Sequence, residues 1–388
     1  MTTLSEALFQ YAVSARRTIH EYPEVGFELD RTVDFVCSQL EQMGIPHTTK
    51  YGKGSVVGYL GTGDSDRPTL AIRADMDALP VQEKTDLPYA SKIDGQMHAC
   101  GHDSHTAILL CAAKILKAHE AELACNVRLV FQPSEEGAIS GARMMVENGV
   151  MDGVDAIICT HCENTLETGI IGVCPGDYMA ACIPLRVTFL GRTAHAALPQ
   201  GGIDAIAMAA EFYARMRPLV EQEAAGKPFI WSVGRFEGGH AHNVIADHCE
   251  MDISFRFYDL DFAERVHKQA VCLADEIAAS RGGTAQVDWH ISTYPVYNDP
   301  ALNQQLVDAV TALGDVPVQE MPARMTSEDF AWYLRKAPGL IFRFGTRNEA
   351  MGCTALAHRN DFRIDEDGMK SAIRAFAAFA LNFGKNKK

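Results

Sequence analysis

Apolar residues recur at helical spacing over residues 5–22 and again over residues 30–43, where Gly44 supplies a stop. Short, unbroken apolar runs follow at residues 55–60, 69–74, 127–131 and 156–159, with helical stretches at 105–119 and 140–148 lying between them. Continuous apolar strands separated by helices predict a largely parallel sheet covered on both faces. From about Cys182 to Tyr294 the rhythm changes. Strand-like runs at 183–190, 229–236, 249–258 and 285–291 combine with helical runs at 203–223 and 262–280 in the order β-α-β-β-α-β. That order is the split βαβ arrangement, here about 110 residues long and able to fold by itself. Helix–strand alternation then resumes and ends in a helix around residues 365–383.

The pattern predicts an α/β chain in two parts. Residues 1–181 and 294–388 would form a mixed, mostly parallel sheet domain, and residues 182–293 an inserted ferredoxin-like α+β domain. A length of 388 residues already favours two domains over one core.

Composition narrows the function classes. Hydrophobic content of 47% and charged content of 22% are those of an ordinary globular protein. The formal charge of −15 and the lack of a basic block argue against a nucleic-acid partner. No apolar run approaches a bilayer span, and the start, Met1-Thr2-Thr3-Leu4-Ser5-Glu6, lacks the charged and apolar regions of a secretion signal. The 11 cysteines are odd in number and scattered through apolar runs such as those at Cys37, Cys111, Cys159 and Cys272. A reduced, cytoplasmic protein without a membrane partner is expected.

The candidate chemistry begins at His98-Ala99-Cys100-Gly101-His102-Asp103-Ser104-His105. A thiol and an imidazole two residues apart in irregular backbone can converge on one ion, and thiolate with neutral imidazole suits zinc-like metals. Gln132-Pro133-Ser134-Glu135-Glu136-Gly137, Thr160-His161-Cys162 and Ala357-His358-Arg359 each follow an apolar run, where sites of open α/β sheets gather. Taken alone, the Glu135/Glu136 pair reads first as a solvated acidic pair at a helix start, followed by Gly137.

These residues, in this order, resemble the M20 metallopeptidase family, in particular its amidohydrolase branch of hippurate hydrolases, N-acyl-amino-acid deacetylases and auxin-conjugate hydrolases. The resemblance also rests on Arg17-Thr18-Ile19-His20-Glu21-Tyr22-Pro23-Glu24, on Arg73-Ala74-Asp75-Met76-Asp77-Ala78-Leu79-Pro80 and on Ala194-His195-Ala196. His242-Asn243-Val244-Ile245, Ser327-Glu328-Asp329-Phe330 and His358 extend it through nearly the whole chain. Relatives with a His-x-Asp ligand motif have a histidine where this chain has Asp75, and Cys100 takes its place as in the amidohydrolase branch.

The resemblance implies two divalent ions per subunit, zinc or manganese, with cobalt or nickel as alternatives. Their ligands would be Cys100, His102, Glu136, His161 and His358. Glu135 would be the general base, and Asp77 would orient a ligand imidazole by accepting its other N–H. In the inserted lid domain His195 would stabilise the oxyanion, Asn243 would hold the carbonyl oxygen and Arg256 the free carboxylate. Arg256 reads equally as a partner of Asp252 or Asp259.

The implied reaction is hydrolysis of an N-acyl amino acid to a carboxylic acid and a free amino acid. A dipeptidase-type enzyme and a non-catalytic metal-containing binding protein are the alternatives. A homodimer through the inserted domain is implied as an option, with His195 acting in its own chain or across the interface. A hinge is expected near residues 179–182 and 292–295. His98 and His105 read as hydrogen-bonded histidines of the loop and helix start, and His240, His242 and His248 as surface or pocket polarity.

Overall fold

A computed structural model describes residues 4–385. They form two compact units. The first holds the described residues up to Gly176, Tyr297–Pro322 and those from Asp329 onward; the second holds Asp177–Val296 and Ala323–Glu328.

An eight-stranded sheet organises the first unit, in the order His47–Thr48, Val56–Leu60, Asn126–Gln132, Thr69–Asp75, Ala156–Glu167, Gly339–Arg347, Ile171–Val173 and Val318–Glu320. Its four central strands, Asn126–Gln132 to Gly339–Arg347, are mutually parallel. Antiparallel pairs appear toward the edges. The central strands are apolar and buried on both faces, as parallel strands covered by helices must be. Strand Ala156–Glu167 runs well past the expected end at residue 159. Its polar continuation, Thr160-His161, still pairs with Phe342 and Arg343 of a strand distant in the chain.

Helix His102–Ala118 is buried along nearly its whole length, against helices Glu6–His20 and Met369–Asn382. It starts three residues before the apolar pattern does, because Gly101 turns the chain with φ of +86° and Ser104 N–H bonds back to the Gly101 carbonyl at 2.8 Å. A Cβ at Gly101 would run into Cys162 Sγ. The helix therefore opens with polar residues that its apolar remainder pulls into the interior.

In the second unit the order of strands is Thr284–Trp289, Ala181–Leu190, His248–Phe257 and Ile230–Gly238, all antiparallel. Ile183, Leu185, Val187 and Phe189 alternate with more exposed neighbours and pack beneath helices Ala205–Ala224 and Leu260–Arg281. Asp204 and Asp259 cap these helices by accepting backbone N–H groups at 2.9–3.2 Å. This is the ferredoxin-like arrangement. The chain passes between units at residues 176/177 and 296/297, a few residues outside the expected 181/182 and 293/294, and again at 322/323 and 328/329. Cys182 and Thr293, placed near the hinge from sequence, pair inside the second unit, the Cys182 N–H donating to Thr293 Oγ1 at 3.2 Å.

No helix among the described residues is long and apolar enough to cross a membrane. No disulfide joins the cysteines among the described residues.

Gly101→Ala should cost about 1–2 kcal/mol for the left-handed backbone alone, and more for the displacement of Cys162. Thermal melting of the purified variant should show a lower midpoint; an unchanged one would mean that this turn relaxes freely.

Candidate metal centre

The chemistry-bearing segments of the first unit meet at the carboxyl ends of the parallel strands. Strand Thr69–Asp75 leads to Asp75 and Asp77, strand Asn126–Gln132 to Glu135 and Glu136, and strand Ala156–Glu167 carries His161. His358 arrives from a late loop tied to the cysteine segment, its N–H donating to the Ala99 carbonyl at 2.8 Å.

The two histidines on this floor are prepared in the same way. His102 Nδ1 donates to the Asp77 carbonyl at 2.8 Å, and His161 Nδ1 to the Cys162 carbonyl at 2.7 Å. Each bond fixes the tautomer and leaves Nε2 facing the centre. Cys100 Sγ lies 3.3 Å from His161 Nε2. Ligand atoms of Cys100, His102 and His161 lie within 4.8 Å of one another, and so do those of Cys100, Glu136 and His358. Cys100 belongs to both groups, so the donors describe two overlapping positions.

Several observations fit a cation there. The buried Nε2 of His102 has no hydrogen-bond partner, the state that buried polar atoms normally avoid. Burial disfavours charge on His102, but the carboxylates of Asp75, Asp77 and Glu136 outweigh it and lift the imidazole to about 10. Burial, followed by Glu136 and Glu135, pushes the Cys100 thiol well up. Burial together with Arg343 and His105 holds His161 well below the usual range, as a neutral ring. Glu136 is held low against its burial chiefly by His358, whose Nε2 is 3.0 Å from Glu136 Oε1. A negative, donor-rich pocket of thiol, imidazole and carboxylate is what a divalent ion compensates.

Asp77 accepts a candidate ligand's imidazole N–H, as the sequence suggested, but through its backbone. Its carbonyl, rather than its carboxylate, takes the His102 N–H; the carboxylate oxygen Oδ1 is 3.6 Å away. The two carboxylate oxygens instead accept the backbone N–H groups of Glu135 and Glu136 at 2.9 and 3.0 Å. Ser134, just before this pair, has φ of +50°, and His358 has φ of +71°. Non-glycine residues in this region cost on the order of 1–3 kcal/mol and gather where function demands a particular direction. The Glu135 carboxylate, thus aimed, lies 3.9 Å from His102 Nε2.

Charged residues inside the apolar strands form a second layer. Arg73 donates to Asp75 at 2.6 Å, to Gln132 at 2.8 Å and to Asp329 at 3.0 Å, all of them buried. Asp329 also accepts from Ser140 Oγ at 2.6 Å and from the Ala142 N–H at 3.2 Å, bracing the loop that carries Glu135. Asp103 accepts from Arg16 and His20 at 2.9 and 2.8 Å, pinning the first turn of the helix that bears His102. The signal for this layer is visible in the chain: an Arg or Asp inside an apolar strand must find a partner when buried.

His105 is hydrogen-bonded, as its sequence context suggested. His98 is not. It is 1% exposed, neither ring nitrogen has a partner, and burial pushes it down to about 3. His240, His242 and His248 are exposed.

In the second unit, His195 and Asn243 are brought together. His195 forms a backbone bridge with Val244, and the Ala196 N–H donates to the Asn243 carbonyl at 3.0 Å. Both residues are exposed. Arg256 lies near the far end of strand His248–Phe257 and donates to the Met325 carbonyl at 3.0 Å. It balances neither Asp252, which pairs with Arg186 and Arg235, nor Asp259, which pairs with Lys227.

Comparison with known proteins agrees with this geometry. A family model described as peptidase family M20/M25/M40 matches residues 71–382. The N-acetyl-L-cysteine deacetylase of Bacillus subtilis is 36% identical over 96% of this chain and 87% of its own. The IAA-amino acid hydrolase ILR1-like 4 of Arabidopsis thaliana is 37% identical over 97% of this chain and 86% of its own. Among solved structures, the YXEP protein of Bacillus subtilis, described as a dinuclear metal-binding peptidase of the M20 family, superposes with a TM-score of 0.85. It is 33% identical over 97% of this chain and 98% of that one. With its parallel-sheet unit, its inserted antiparallel unit and its matched length, this chain belongs to peptidase family M20/M25/M40.

Proposed function

We propose that this protein is a metal-dependent amidohydrolase that cleaves N-acyl amino acids, releasing a carboxylic acid and a free amino acid. The observation that carries the reading is the pair of overlapping donor groups sharing Cys100, with the Glu135 carboxylate beside them. Cys100, His102, Glu136, His161 and His358 would hold two divalent ions. When bound, such ions acidify a water and polarise a carbonyl oxygen, and the thiolate favours zinc while imidazole and carboxylate also admit manganese, cobalt or nickel.

The chain's own residues then divide the work. Glu135 takes a proton from the attacking water as oxygen bonds to the amide carbon, and passes it to the leaving nitrogen as the C–N bond breaks. Asp77 holds Glu135 and Glu136 in their different directions through the backbone, so that one carboxylate serves as base and its neighbour as ligand. In the second unit His195 and Asn243 would stabilise the negative carbonyl oxygen, and Arg256 would take the substrate carboxylate.

The spacing in that unit favours a homodimer. His195 and Asn243 lie off the His248 end of a strand whose opposite end carries Arg256. Eight residues of strand separate those ends by roughly 27 Å, whereas a dipeptide-sized substrate spans only about 7 Å. Both ends contact substrate only if they serve different sites, and a symmetric dimer supplies the second one.

Three outcomes test this reading. Glu135→Gln should keep its metal content and melting behaviour while losing about 10²–10⁴-fold in turnover of N-acetyl or N-benzoyl amino acids; activity within about threefold of native removes Glu135 as the base.

Chelation should abolish turnover and a divalent ion should restore it. Elemental analysis should show Cys100→Ser losing metal far more readily than Cys111→Ser, whose thiol only reaches the Leu8 carbonyl from inside a helix. Full activity in protein free of metal would sink the mechanism.

His195→Ala should be nearly inactive yet fold normally. Co-expressed with Glu135→Gln, it should recover roughly a quarter of native turnover, because half the dimers then hold one complete site. A mixture as inactive as its parts would place His195 outside the partner's site.

A further inference from the structure

His105 carries no role in the mechanism above, yet it is completely buried beside the candidate ligands. Both of its ring nitrogens are engaged. Nδ1 donates to Asp75 Oδ1 at 2.6 Å, and Nε2 accepts the backbone N–H of Cys162 at 3.0 Å. The Asp75 carboxylate is itself fixed by Arg73 at 2.6 Å. An imidazole that donates at one nitrogen and accepts at the other is neutral and has one defined tautomer.

The residue at the end of this chain of bonds is the one that aims His161. The Cys162 N–H is held by His105, and the Cys162 carbonyl accepts His161 Nδ1–H at 2.7 Å. The rings of His105 and His161 also lie 4.7 Å apart, so His105 forms one wall of the space in which the candidate ligand can rotate. His161 Nε2 is thereby directed toward Cys100 Sγ at 3.3 Å. Ligand atoms of His105 also fall within 4.8 Å of those of His161 and Cys162, and of those of Asp75 and His102. With both nitrogens occupied, however, His105 has no lone pair left for an ion.

We propose that His105, oriented by Asp75, is a positioning residue that sets the direction of His161 through the Cys162 backbone; this rests on the reading of His161 as a metal ligand. Orientation of a ligand imidazole by outer partners is worth about 10–100-fold in metal affinity. The unusual element here is that the partner acts on the backbone that holds the ligand, rather than on the ligand ring.

Two substitutions in the full-length protein separate the two bonds. Asn at 105 reaches the δ position and keeps the donor to Asp75, but not the acceptor for Cys162. Gln reaches the ε position and keeps the acceptor. Metal-free native protein, His105→Asn and His105→Gln are titrated with zinc against a chromophoric chelator, and with Co(II) followed by its visible absorption. His105→Asn should bind zinc about 10–100-fold more weakly and show an altered Co(II) spectrum, whereas His105→Gln should stay within about threefold of native.

Native affinity in His105→Asn overturns the proposal, as does an equal loss in both variants, because a purely structural role does not distinguish them. Native protein that binds no zinc overturns the metal reading itself and this proposal with it. Should His105→Asn fail to fold, ¹⁵N spectra of histidine-labelled native protein decide. The Nδ1–H tautomer, with and without zinc, is expected for His105; an Nε2–H tautomer or a metal-bound shift overturns the assignment.

Discussion

Asp77 sits where three pieces of chain must agree. Its carboxylate accepts the N–H groups of Glu135 and Glu136, and its carbonyl accepts the His102 imidazole. A carboxylate has enough lone pairs for both backbone donors, and a carbonyl oxygen can serve the ring without competing for them. Asp77, two residues beyond strand Thr69–Asp75, thus registers the acidic turn against the helix that carries His102. Because the group is 1% exposed, water cannot substitute for any of these bonds. The directions of His102, Glu135 and Glu136 follow from that constraint.

Around it, the first unit concentrates polar groups where an α/β sheet ordinarily has only apolar ones. Helix His102–Ala118 is anchored by apolar packing along its length, which allows its first turn to hold Asp103, His105 and Thr106 in the interior. Each of these is bonded: Asp103 to Arg16 and His20, His105 to Asp75, Thr106 to the Asp75 carbonyl at 2.8 Å. Buried charges of this kind are costly when unpaired, and breaking one partner is expected to be more damaging than replacing a surface pair. The left-handed backbone at Ser134 and His358 belongs to the same economy of direction, since both residues flank or supply the candidate donors.

The second unit is built by a simpler rule. Its sheet alternates inward and outward residues, two capped helices cover one face, and its candidate substrate-contacting groups sit on a loop pair and a strand end rather than in the core. His195 and Asn243 come together because the loop after Leu190 and the loop before His248 continue the pairing of their two strands. Their exposure suits groups that meet a ligand from outside, whereas the donors of the first unit are mostly buried and preset.

Periodicity in the chain was sufficient for the two sheet types, for the inserted β-α-β-β-α-β order and for most helices, because each of those features depends on which face of a local segment is apolar. The candidate metal-type segments stand out in the chain too, Cys100/His102 ahead of an apolar helical run and Glu135/Glu136, His161 and His358 each after an apolar run. What local pattern could not supply was direction. That the Asp77 carboxylate would bind backbone N–H groups while its carbonyl takes the ring, that Asp75 would hold His105, and that His98 would be buried with no hydrogen-bond partner depend on residues far apart in the chain. The same holds for the extension of strand Ala156–Glu167 through polar residues, which pairing with the late strand Gly339–Arg347 stabilises. Apolar spacing determined the scaffold because burial is a property of a segment; tertiary structure decided the site because a hydrogen bond belongs to two partners and exists only once both have been brought to it.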